Sequence, residues 1–429
     1  MESFYPYLKN YLSDDFISEI KESQNHQPFK GFVLNTTKIK DDELCKFFKN
    51  FTKSNQINNL YYYNQETTPL GKSLIHEAGG VYIMDPSATI NQSLIAEDNL
   101  LVLDLCAAPG GKTISFSLTH PNSLIVANDY SYKRAIELCK NIIRLGLNNV
   151  IVTSFPPSYF LNEFKNTFDL IILDAPCSGT GMFRKETKML DDWSYKKTLA
   201  LLPIQEDLLN TSYLLLKEGG KLIYSTCSFL KEEDEDQVNK FLNKYHDMHL
   251  IDFPILPSYF SIQKGTIHLF PHLFNGEGHF ISLFKKDGEA TKTIFNNSNK
   301  LNYNSKNNLI TFKYNNLTFG LNKLYLPLLK LKALKMGIQI EENDKYAKAK
   351  FTYAYARYQN SNINTINLDY SQAKEYIYGN ELTTNLNLNN DTYIVTYNNL
   401  HLGLVNKRGN KLKNLYLKEN RKKIIDLEK

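Results

Sequence analysis

The central part of the chain alternates short apolar runs with amphipathic stretches. Between residues 99 and 286 the runs LLVLDL, SLIVAND, VIVTS, FDLIILD and KLIYSTC are rich in valine, isoleucine and leucine, and they predict buried strands. The stretches that separate them, such as KRAIELCKNIIRLG, carry apolar residues at helical spacing. This alternation favours an α/β fold in which helices cover both faces of a parallel sheet.

The segments on either side of this block have different patterns. Residues 1–95 mix short helical and irregular stretches and contain a tyrosine cluster, YYYNQ. Residues 288–308 are polar and rich in asparagine, which is typical of a linker. Residues 309–429 contain strand-like pieces such as LITFKY, which indicate a small β-rich module. The chain is therefore predicted to have an N-terminal domain, an α/β domain at 96–287, the linker and a C-terminal β-rich region.

Composition narrows the class of protein. The chain has 429 residues, of which 42% are hydrophobic, and this suffices for two or three domains with their own cores. Its apolar runs are far shorter than the roughly 20 residues that a membrane span needs, so we expect a soluble protein. Five cysteines, an odd number, and no secretion signal argue against a disulfide framework and favour the reducing cytoplasm.

Positive charge is concentrated at the C-terminus. The net charge of the whole chain is only +5, whereas residues 406–429 hold nine Lys or Arg and three acidic residues. A basic segment of this kind indicates a polyanionic partner. A solvated terminal helix accounts for the charge equally well.

The loop after the first predicted strand, DLCAAPGGKT at residues 104–113, is suited to a ligand. Its small alanines and adjacent glycines let a ligand approach the backbone, and the next helix begins there. A phosphate-binding P-loop would need glycine at Cys106, and the GxGxxG dinucleotide motif is absent. Asp129 ends the second strand and can accept hydrogen bonds from a ribose diol, with a helix N-cap as an equal alternative. A cofactor that contains a nucleoside therefore fits better than a bare triphosphate.

Two of the five cysteines also follow predicted strands. Cys177 lies in DAPCSGTG and Cys227 in YSTCSF. Ligands of parallel sheets bind at the carboxyl ends of the strands, so both thiols are expected near the cofactor. An isolated cysteine is most often an inert buried residue, which suits Cys45 and Cys139. No CxxC or HxxxH motif lies near Cys177 or Cys227, so no metal is expected.

Three motifs carry a resemblance to a known family. LDLCAAPGGKT, DAPCSGTGMFRK and YSTCSF, in this order, resemble the S-adenosylmethionine-dependent RNA (cytosine-5)-methyltransferases of the Sun/Nop family. The segments LGKSLIHEAGGVYIMDPSA and LFPHLFNGEGHFISLFKK are similar to that family's approach segment and closing strands. AKEYIYGNEL and LGLVNKRGNKLKNLYLKENRKK look like the PUA-like module of its bacterial small-subunit rRNA branch, the F-type enzymes.

The resemblance implies a function for each part of the chain. It implies an RNA-approach domain at 1–95, a seven-stranded Rossmann-like methyltransferase domain at 96–287, and an RNA-binding region with a PUA-like module at 309–429. The cofactor would be S-adenosylmethionine. Its predicted contacts are Cys106, Ala107, Ala108, Pro109, Gly110, Gly111, Lys112, Asp129 and Asp174. For Lys112 there is an alternative interpretation, that it is a surface lysine at the start of a helix.

The chemistry of cytosine C5 requires a thiol. C5 is a poor nucleophile, so a thiolate must first add to C6, and a base must later remove the C5 proton while the thiol leaves. Asp174, which ends the strand FDLIILD, can face both the cytosine and the methyl donor. The positions of the two cysteines do not show which of them is the nucleophile. DNA cytosine methyltransferases use the thiol of a Pro-Cys pair, and this analogy favours Cys177. The resemblance to the RNA enzymes favours Cys227 as the nucleophile and Cys177 in product release, so Cys227, Cys177 and Asp174 are the predicted catalytic residues.

Some positions depart from the family's pattern or allow two interpretations. Pro156 stands near the place where many relatives carry an acidic residue that contacts adenine, and Asp85 stands where a Gln-Glu pair is commoner. The stretch FRK at residues 183–185 suits a phosphate and a base, with an exposed turn as the alternative. The remaining candidates are histidines whose irregular spacing indicates structural roles rather than a metal set: His268, His272 and His279.

These observations predict an enzyme that methylates C5 of cytosine in structured RNA. The expected partner is small-subunit rRNA or the assembling small ribosomal subunit, and the protein is expected to be a cytoplasmic monomer without metal. A tRNA methyltransferase is the near alternative. A P-loop NTPase is disfavoured by Cys106, and a non-catalytic RNA-binding assembly factor is disfavoured by the presence of both cysteines with Asp174.

Overall fold

The computed structural model describes residues 4–252, 264–295, 302–304, 308–314, 317–342, 351–425 and 427. The N-terminal segment forms a small antiparallel sheet with short helices. Its strands are β1 (Gly31–Leu34), β2 (Phe51–Lys53), β3 (Leu60–Tyr63) and β4 (Val81–Met84), and they lie in the order β2-β3-β1-β4. Its helices are α1 (Phe4–Leu8), α2 (Asp14–Ser23), α3 (Leu74–Glu77) and α4 (Ile90–Ser93).

The central block forms the predicted α/β domain. Its strands are β5 (Leu101–Asp104), β6 (Leu124–Asn128), β7 (Val150–Thr153), β8 (Phe168–Asp174), β9 (Leu216–Thr226), β10 (Met248–Leu250), β11 (Thr266–Leu269) and β12 (His279–Lys286). Its helices are α5 (Gly111–Thr119), α6 (Tyr132–Leu145), α7 (Lys188–Asp192), α8 (Tyr195–Leu215) and α9 (Glu235–Lys244). Seven strands follow the order β10-β12-β9-β8-β5-β6-β7, and β11 pairs with β12. Strands β5 to β9 are parallel to one another, whereas β10, β11 and β12 form antiparallel pairs.

Both faces of the central sheet are buried. Within β5, Leu101 and Leu103 pack into one hydrophobic core and Val102 into the other. In β8, Ile171 joins the first core and Ile172 the second. Because successive side chains of a strand point to opposite faces, a sheet covered on both sides needs the near-continuous apolar runs that the sequence shows.

The C-terminal segment is rich in strands, as predicted. They are β13 (Asn302–Asn304), β14 (Leu309–Tyr314), β15 (Leu317–Leu321), β16 (Lys335–Met336), β17 (Ile338–Glu342), β18 (Thr365–Asn367), β19 (Leu382–Thr383), β20 (Thr392–Tyr397), β21 (Leu400–Arg408) and β22 (Lys411–Asn414). Two helices accompany them, α10 (Tyr353–Arg357) and α11 (Tyr370–Tyr378). The two sheets have the orders β13-β14-β15-β17 and β18-β20-β21-β22-β19, while β16 extends the central sheet beside β7. Of the predicted linker at 288–308, residues 296–301 and 305–307 lie outside the described residues.

A buried polar cluster connects the C-terminal segment to the N-terminal one. The carboxylate of Glu77 accepts a hydrogen bond from the Tyr416 hydroxyl, and its Oε2 lies 2.7 Å from the Lys422 ammonium. The fully buried Arg357 donates to the backbone carbonyls of Glu77 and, at 2.6 Å, Leu402. We call Glu77, Arg357, Tyr416 and Lys422 the interdomain joint.

The basic tail is therefore partly a structural element. Residues 406–414 lie largely in β21 and β22, so the alternative of a terminal helix is wrong for them. Farther along, Ile424 is buried and the backbone N–H of Ile425 donates to the carbonyl of Lys72. Residues 426, 428 and 429 lie outside the described residues. Among the helices that the structure describes, none is long and apolar enough to cross a membrane.

Candidate active site

The two cysteines that follow strands lie in contact. Cys177 is in the loop after β8 and Cys227 directly follows β9, and the two strands are parallel neighbours. The two Sγ atoms are 3.2 Å apart, and the backbone N–H of Cys227 lies 3.3 Å from Sγ of Cys177. The hydrogen bond with Cys227, together with burial, raises the pKa of the Cys177 thiol well above its ordinary value. Cys177 is thus a protonated thiol that can donate its hydrogen to the Cys227 sulfur.

Glu233 holds the two cysteine loops together. It is fully buried, and its Oε1 accepts from the backbone N–H of Ser178 at 2.8 Å and from the Gln205 amide at 3.1 Å. Its Oε2 accepts from the hydroxyls of Ser178 and Ser228. Ser178 follows Cys177 and Ser228 follows Cys227 along the chain, so this one carboxylate fixes the spacing of the two thiols.

Asp174 forms an ion pair beside the cysteines. Its Oδ2 lies 2.7 Å from the Lys112 ammonium, and its Oδ1 accepts a hydrogen bond of 3.0 Å from the Ser225 hydroxyl. Desolvation acts to raise the pKa of Asp174, but Lys112 and the hydrogen bonds outweigh it and hold the pKa below its ordinary value. The carboxylate is therefore ionised at neutral pH, and 37% of its side chain is exposed to a substrate.

A neutral histidine borders the same ion pair. His279 begins β12 and is buried, and burial, with the nearby Lys112 ammonium, lowers its pKa to about 3. Its Nε2 has no hydrogen-bond partner among the described residues. His279 is therefore an uncharged ring with a free nitrogen at the edge of the site.

The loop after β5 has a backbone that only glycine adopts easily. Gly110 has φ of 117°, and a Cβ placed on it would lie 2.7 Å from Cδ1 of Leu138. Helix α5 begins at Gly111, so its first backbone N–H groups lie at this loop. At the end of β5, burial raises the pKa of Asp104 to about 7; its Oδ2 accepts from Thr113, whereas its Oδ1 has no partner among the described residues.

Asp129 is not the N-cap of helix α6, so the alternative of a helix N-cap is wrong. The N-cap is Ser131, and Oδ1 of Asp129 accepts from the backbone N–H of Ser131 at 2.9 Å. Its Oδ2 accepts from the N–H of Ala108 at 3.2 Å and lies 3.5 Å from Arg134. Because a carboxylate oxygen has two lone pairs, each oxygen can accept one more hydrogen bond. Asp129 thus anchors the 105–110 loop and still has acceptors for a diol.

An aromatic pair flanks Pro156 in the loop after β7. The Phe155 and Tyr159 rings are stacked with centroids 4.0 Å apart and planes 13° apart. Both side chains are only partly buried, and Pro156 between them is exposed. The Asn128 amide fixes the backbone here, because it accepts from Phe155 N–H at 2.9 Å and donates to the Phe155 carbonyl at 3.0 Å. This edge offers flat apolar surface rather than a charged acceptor.

Two sequence interpretations need correction. The stretch at residues 183–185 is not exposed as a whole. Phe183 is buried, and the buried Arg184 pairs with Glu277 at 2.9 Å. Of the three residues, only Lys185 is exposed and can contact a phosphate. Of the three histidines, His268 has the expected structural bond, to Glu235 at 2.8 Å, but His279 belongs to the active-site edge.

The sequence did not identify three site residues. Glu233 sits in the run KEEDED, which has the appearance of a solvated charged segment, although its position just after YSTCSF was a usable signal. The spacing of His279 predicted a structural histidine, and nothing in the sequence pattern places its ring beside Asp174 and Lys112. Asp104 was visible as the first residue of the glycine loop, but no sequence pattern reports that its carboxyl is completely buried.

Comparisons with known proteins identify two domains in the chain. Residues 91–285 match the family model for 16S rRNA methyltransferase RsmB/F, and residues 363–422 match the model for the methyltransferase RsmF PUA domain. The ribosomal RNA small subunit methyltransferase F of Enterobacter sp. (strain 638) is 29% identical over 392 residues, 83% of this chain and 80% of that protein. The protein of the same name from Aeromonas salmonicida is 34% identical over 241 residues, 54% of this chain and 50% of that protein.

Solved structures share the fold. A methyltransferase homolog protein from Pyrococcus horikoshii is 27% identical, with a TM-score of 0.54 over 65% of this chain and 97% of that one. NSun6 from Pyrococcus horikoshii, solved with SFG, has a TM-score of 0.61 over 67% of this chain and 99% of that one. At 19% identity the second comparison concerns the fold alone.

Proposed function

We propose that this chain, which carries a methyltransferase domain of the RsmB/F family and an RsmF PUA domain, methylates C5 of cytosine in small-subunit rRNA. The methyl donor is S-adenosylmethionine. The observation that carries the proposal is the contact between Cys177 and Cys227 beside the ionised Asp174. A thiol pair next to a carboxylate at the carboxyl edge of this sheet is what covalent activation of cytosine requires.

The cofactor fits the residues at the ends of β5, β6 and β7. Asp129 would hold the ribose hydroxyls through its remaining lone pairs, and the backbone around Gly110 leaves room for a close approach. The Phe155–Tyr159 pair would pack against the adenine, in place of an acidic contact. When bound, the cofactor supplies a methyl group on a positively charged sulfur, which is open to attack by a carbon nucleophile.

Cys227 is the nucleophile in this proposal. The raised pKa of Cys177 keeps that residue protonated, and its S–H can stabilise a thiolate on Cys227, 3.2 Å away. The Cys227 thiolate forms a bond to C6 of cytosine, and the electron pair of the C5–C6 double bond becomes available at C5 for the methyl group. Asp174, being ionised, accepts a hydrogen bond from the exocyclic amino group and orients the ring.

Cys177 then completes the reaction. Once the Cys227 sulfur is bound to carbon, it can no longer be a thiolate, so the main cause of the raised Cys177 pKa disappears. Cys177 can lose its proton to solvent and, as a thiolate, remove the proton from C5. The electron pair of that C–H bond restores the C5–C6 double bond and expels Cys227 as a thiolate. The balance is one methyl group gained and one proton released.

The flanking segments are assigned to RNA. Residues 309–429, which include the PUA domain, would bind the rRNA outside the target nucleotide, residues 1–95 would guide it towards the cysteines, and 288–308 would connect the two larger domains. The curated relatives are named as small subunit rRNA methyltransferases, which supports rRNA rather than tRNA as the substrate.

Methyl transfer from isotopically labelled S-adenosylmethionine to purified rRNA and to tRNA tests this function. We expect label in 5-methylcytidine of digested small-subunit rRNA and none in tRNA, with calorimetry showing binding of S-adenosylmethionine and not of ATP. Label in another nucleoside, or in tRNA alone, would contradict the proposal. Absence of transfer to naked rRNA and to isolated small subunits would favour a non-catalytic RNA-binding role.

A further inference from the structure

A groove runs across the N-terminal sheet towards the active site. Two cavities, of about 810 and about 480 Å³, share Phe29, Lys30, Tyr63 and Gln65 in their linings, so they are continuous. We call them together the N-terminal groove. Their volumes exceed what a single base requires and suit an extended ligand.

The walls of the groove present aromatic rings. Phe29 is 36% exposed, and Tyr63 is partly buried on β3. The Arg184 guanidinium lies 5.4 Å from the Phe29 ring centroid and is itself fixed by Glu277, so the ring is supported from one side. A large ring that is held in place and left accessible is suited to stacking against a flat ligand.

The groove also carries a positive net charge, because four lysines and two acidic residues, Glu66 and Asp85, line it. Lys30, Lys49, Lys72 and Lys185 line it, and within the described part of the chain none of them has a carboxylate within ion-pair distance. The carboxylate of Asp85 in the same lining accepts hydrogen bonds from the backbone N–H groups of Ser87 and Glu277. Burial and the nearby Lys185 lower the pKa of Lys30 and outweigh the carboxylates of Glu277, Asp85 and Glu186, which act to raise it.

The inner end of the groove meets the active site. Met84 lines the groove, and its Cε is 3.5 Å from where a Cβ on Gly111, the first residue of α5, would lie. Lys185 lies eight residues after Cys177, beyond the loop that Glu233 fixes. A strand that lay in the groove would therefore be directed towards the start of α5 and towards the segment that follows Cys177.

We propose that the N-terminal groove binds the single-stranded nucleotides next to the target cytosine, with bases stacked on Phe29 and Tyr63 and phosphates paired with Lys30, Lys72 and Lys185. This inference rests on the proposed function for the identity of the RNA. The RNA must be single-stranded here, because a base can stack on a protein side chain only when it is not paired and stacked within a helix. The groove offers rings for the bases and cations for the phosphates.

Binding of an in-vitro small-subunit rRNA transcript, measured by fluorescence anisotropy at several salt concentrations, separates the two kinds of contact. Phe29→Ala and Tyr63→Leu are each expected to weaken binding about tenfold without changing the salt dependence, because stacking releases no counter-ions. Lys30→Ala and Lys185→Ala are expected to weaken binding and to reduce the slope of log affinity against log salt by about 0.7 each. The matched control is Lys165→Ala. Lys165 is exposed and lies before β8, at the amino end of that strand and so away from the cysteines at the carboxyl ends, and its replacement should leave the affinity and the slope unchanged.

The affinity for S-adenosylmethionine and the unfolding temperature identify variants that fail to fold. Folded groove variants that bind RNA like Lys165→Ala would overturn the proposal, and so would lysine effects without any effect of Phe29 or Tyr63. Failure of the proposed function has a different signature: wild-type protein would bind the transcript and the cofactor but transfer no methyl group. The binding series would still decide the groove in that case.

Discussion

Two buried glutamates hold two regions of this molecule together by different means. At the active-site edge, the donors to Glu233 in the described part of the chain are all neutral, namely two serines and a glutamine of the α/β domain. In the interdomain joint, Glu77 instead pairs with the Lys422 ammonium and accepts from Tyr416, which is 339 residues distant along the chain.

The difference follows from what each region must do. Hydrogen bonds to neutral groups are directional, so four of them on one carboxylate fix two loops in position. An ion pair is less directional but strong when partly buried, so it holds two segments together and depends on the protonation of its members. We therefore expect changes at Glu233 to affect the reaction first and changes at Glu77 to affect stability first.

The largest effect is expected for Glu233→Ala. It leaves two hydroxyls and two N–H groups, all buried or partly buried, without their acceptor. A displacement of the thiols by about 1 Å costs about 100-fold in rate. Methyl transfer should fall at least that far, while affinity for S-adenosylmethionine changes less than about threefold because Asp129 lies on another strand. The matched control is Glu232→Ala next to it, which bonds Tyr7 and Tyr195 instead. Equal activity of the two variants would contradict the role of Glu233.

The next largest effect is expected for Glu77→Ala, on the free energy of unfolding measured by chemical denaturation. Removing one partner of a buried ion pair leaves Lys422 and Arg357 without their counter-charge and costs about 3 kcal/mol of unfolding free energy, a low value for such pairs because Lys422 is 31% exposed. Glu137→Ala, which removes an exposed pair with Lys140, is the control and should cause no measurable loss. If the two variants unfold alike, the joint does not hold the segments together.

The pH dependence of the joint sharpens the comparison. Burial acts to raise the pKa of Glu77, but Lys422 and Arg357 outweigh it, and the pKa lies below the ordinary 4.5. A lowered folded pKa gives stability that is fully present above pH 4.5 and is lost as the pH falls through the folded value. The stability difference between wild type and Glu77→Gln should therefore be about 1–2 kcal/mol at pH 7 and should shrink below pH 4.5. If the stability difference instead grew on acidification, the pKa of Glu77 would be raised by folding, which would contradict this prediction.

The smallest effect concerns the exposed lysines of the tail. Replacing Lys413, Lys418 and Lys423 with glutamine should reduce the salt slope of RNA binding by about 2 and leave the unfolding temperature unchanged, since all three are exposed. Truncation before Lys422 should instead lower the unfolding temperature, because it removes an ion pair and the buried Ile424. An unchanged slope in the triple variant would show that these three cations do not contact phosphates.

The same comparison explains what the sequence could predict. Strands with near-continuous apolar residues, and motifs at their ends, predicted the α/β domain and brought Cys177, Cys227, Asp174 and Asp129 to one edge, because the topology of a parallel sheet decides which loops meet. The joint was not predictable in this way. Its contacts connect α3 to a segment more than 300 residues later, and no local periodicity records such a pairing.

The sequence also did not predict which charged residues are buried. Glu233 and Arg184 lie in polar stretches whose local pattern indicates solvent exposure, yet Glu233 is completely buried and Arg184 nearly so, at 0% and 6% exposure. Polar residues become buried only where tertiary packing supplies their partners, which a single sequence does not reveal.

The central claim, that Cys227 attacks cytosine and Cys177 releases it, is tested most directly by trapping the covalent intermediate. Each cysteine is replaced with alanine, the protein is incubated with rRNA and S-adenosylmethionine, and the mixture is run on a denaturing gel. Cys177→Ala should accumulate a protein–RNA adduct, because the nucleophile remains while the base is missing. Cys227→Ala and the double variant should form no adduct and no 5-methylcytidine. An adduct with Cys227→Ala and none with Cys177→Ala would reverse the two roles, and full turnover in both single variants would contradict covalent catalysis.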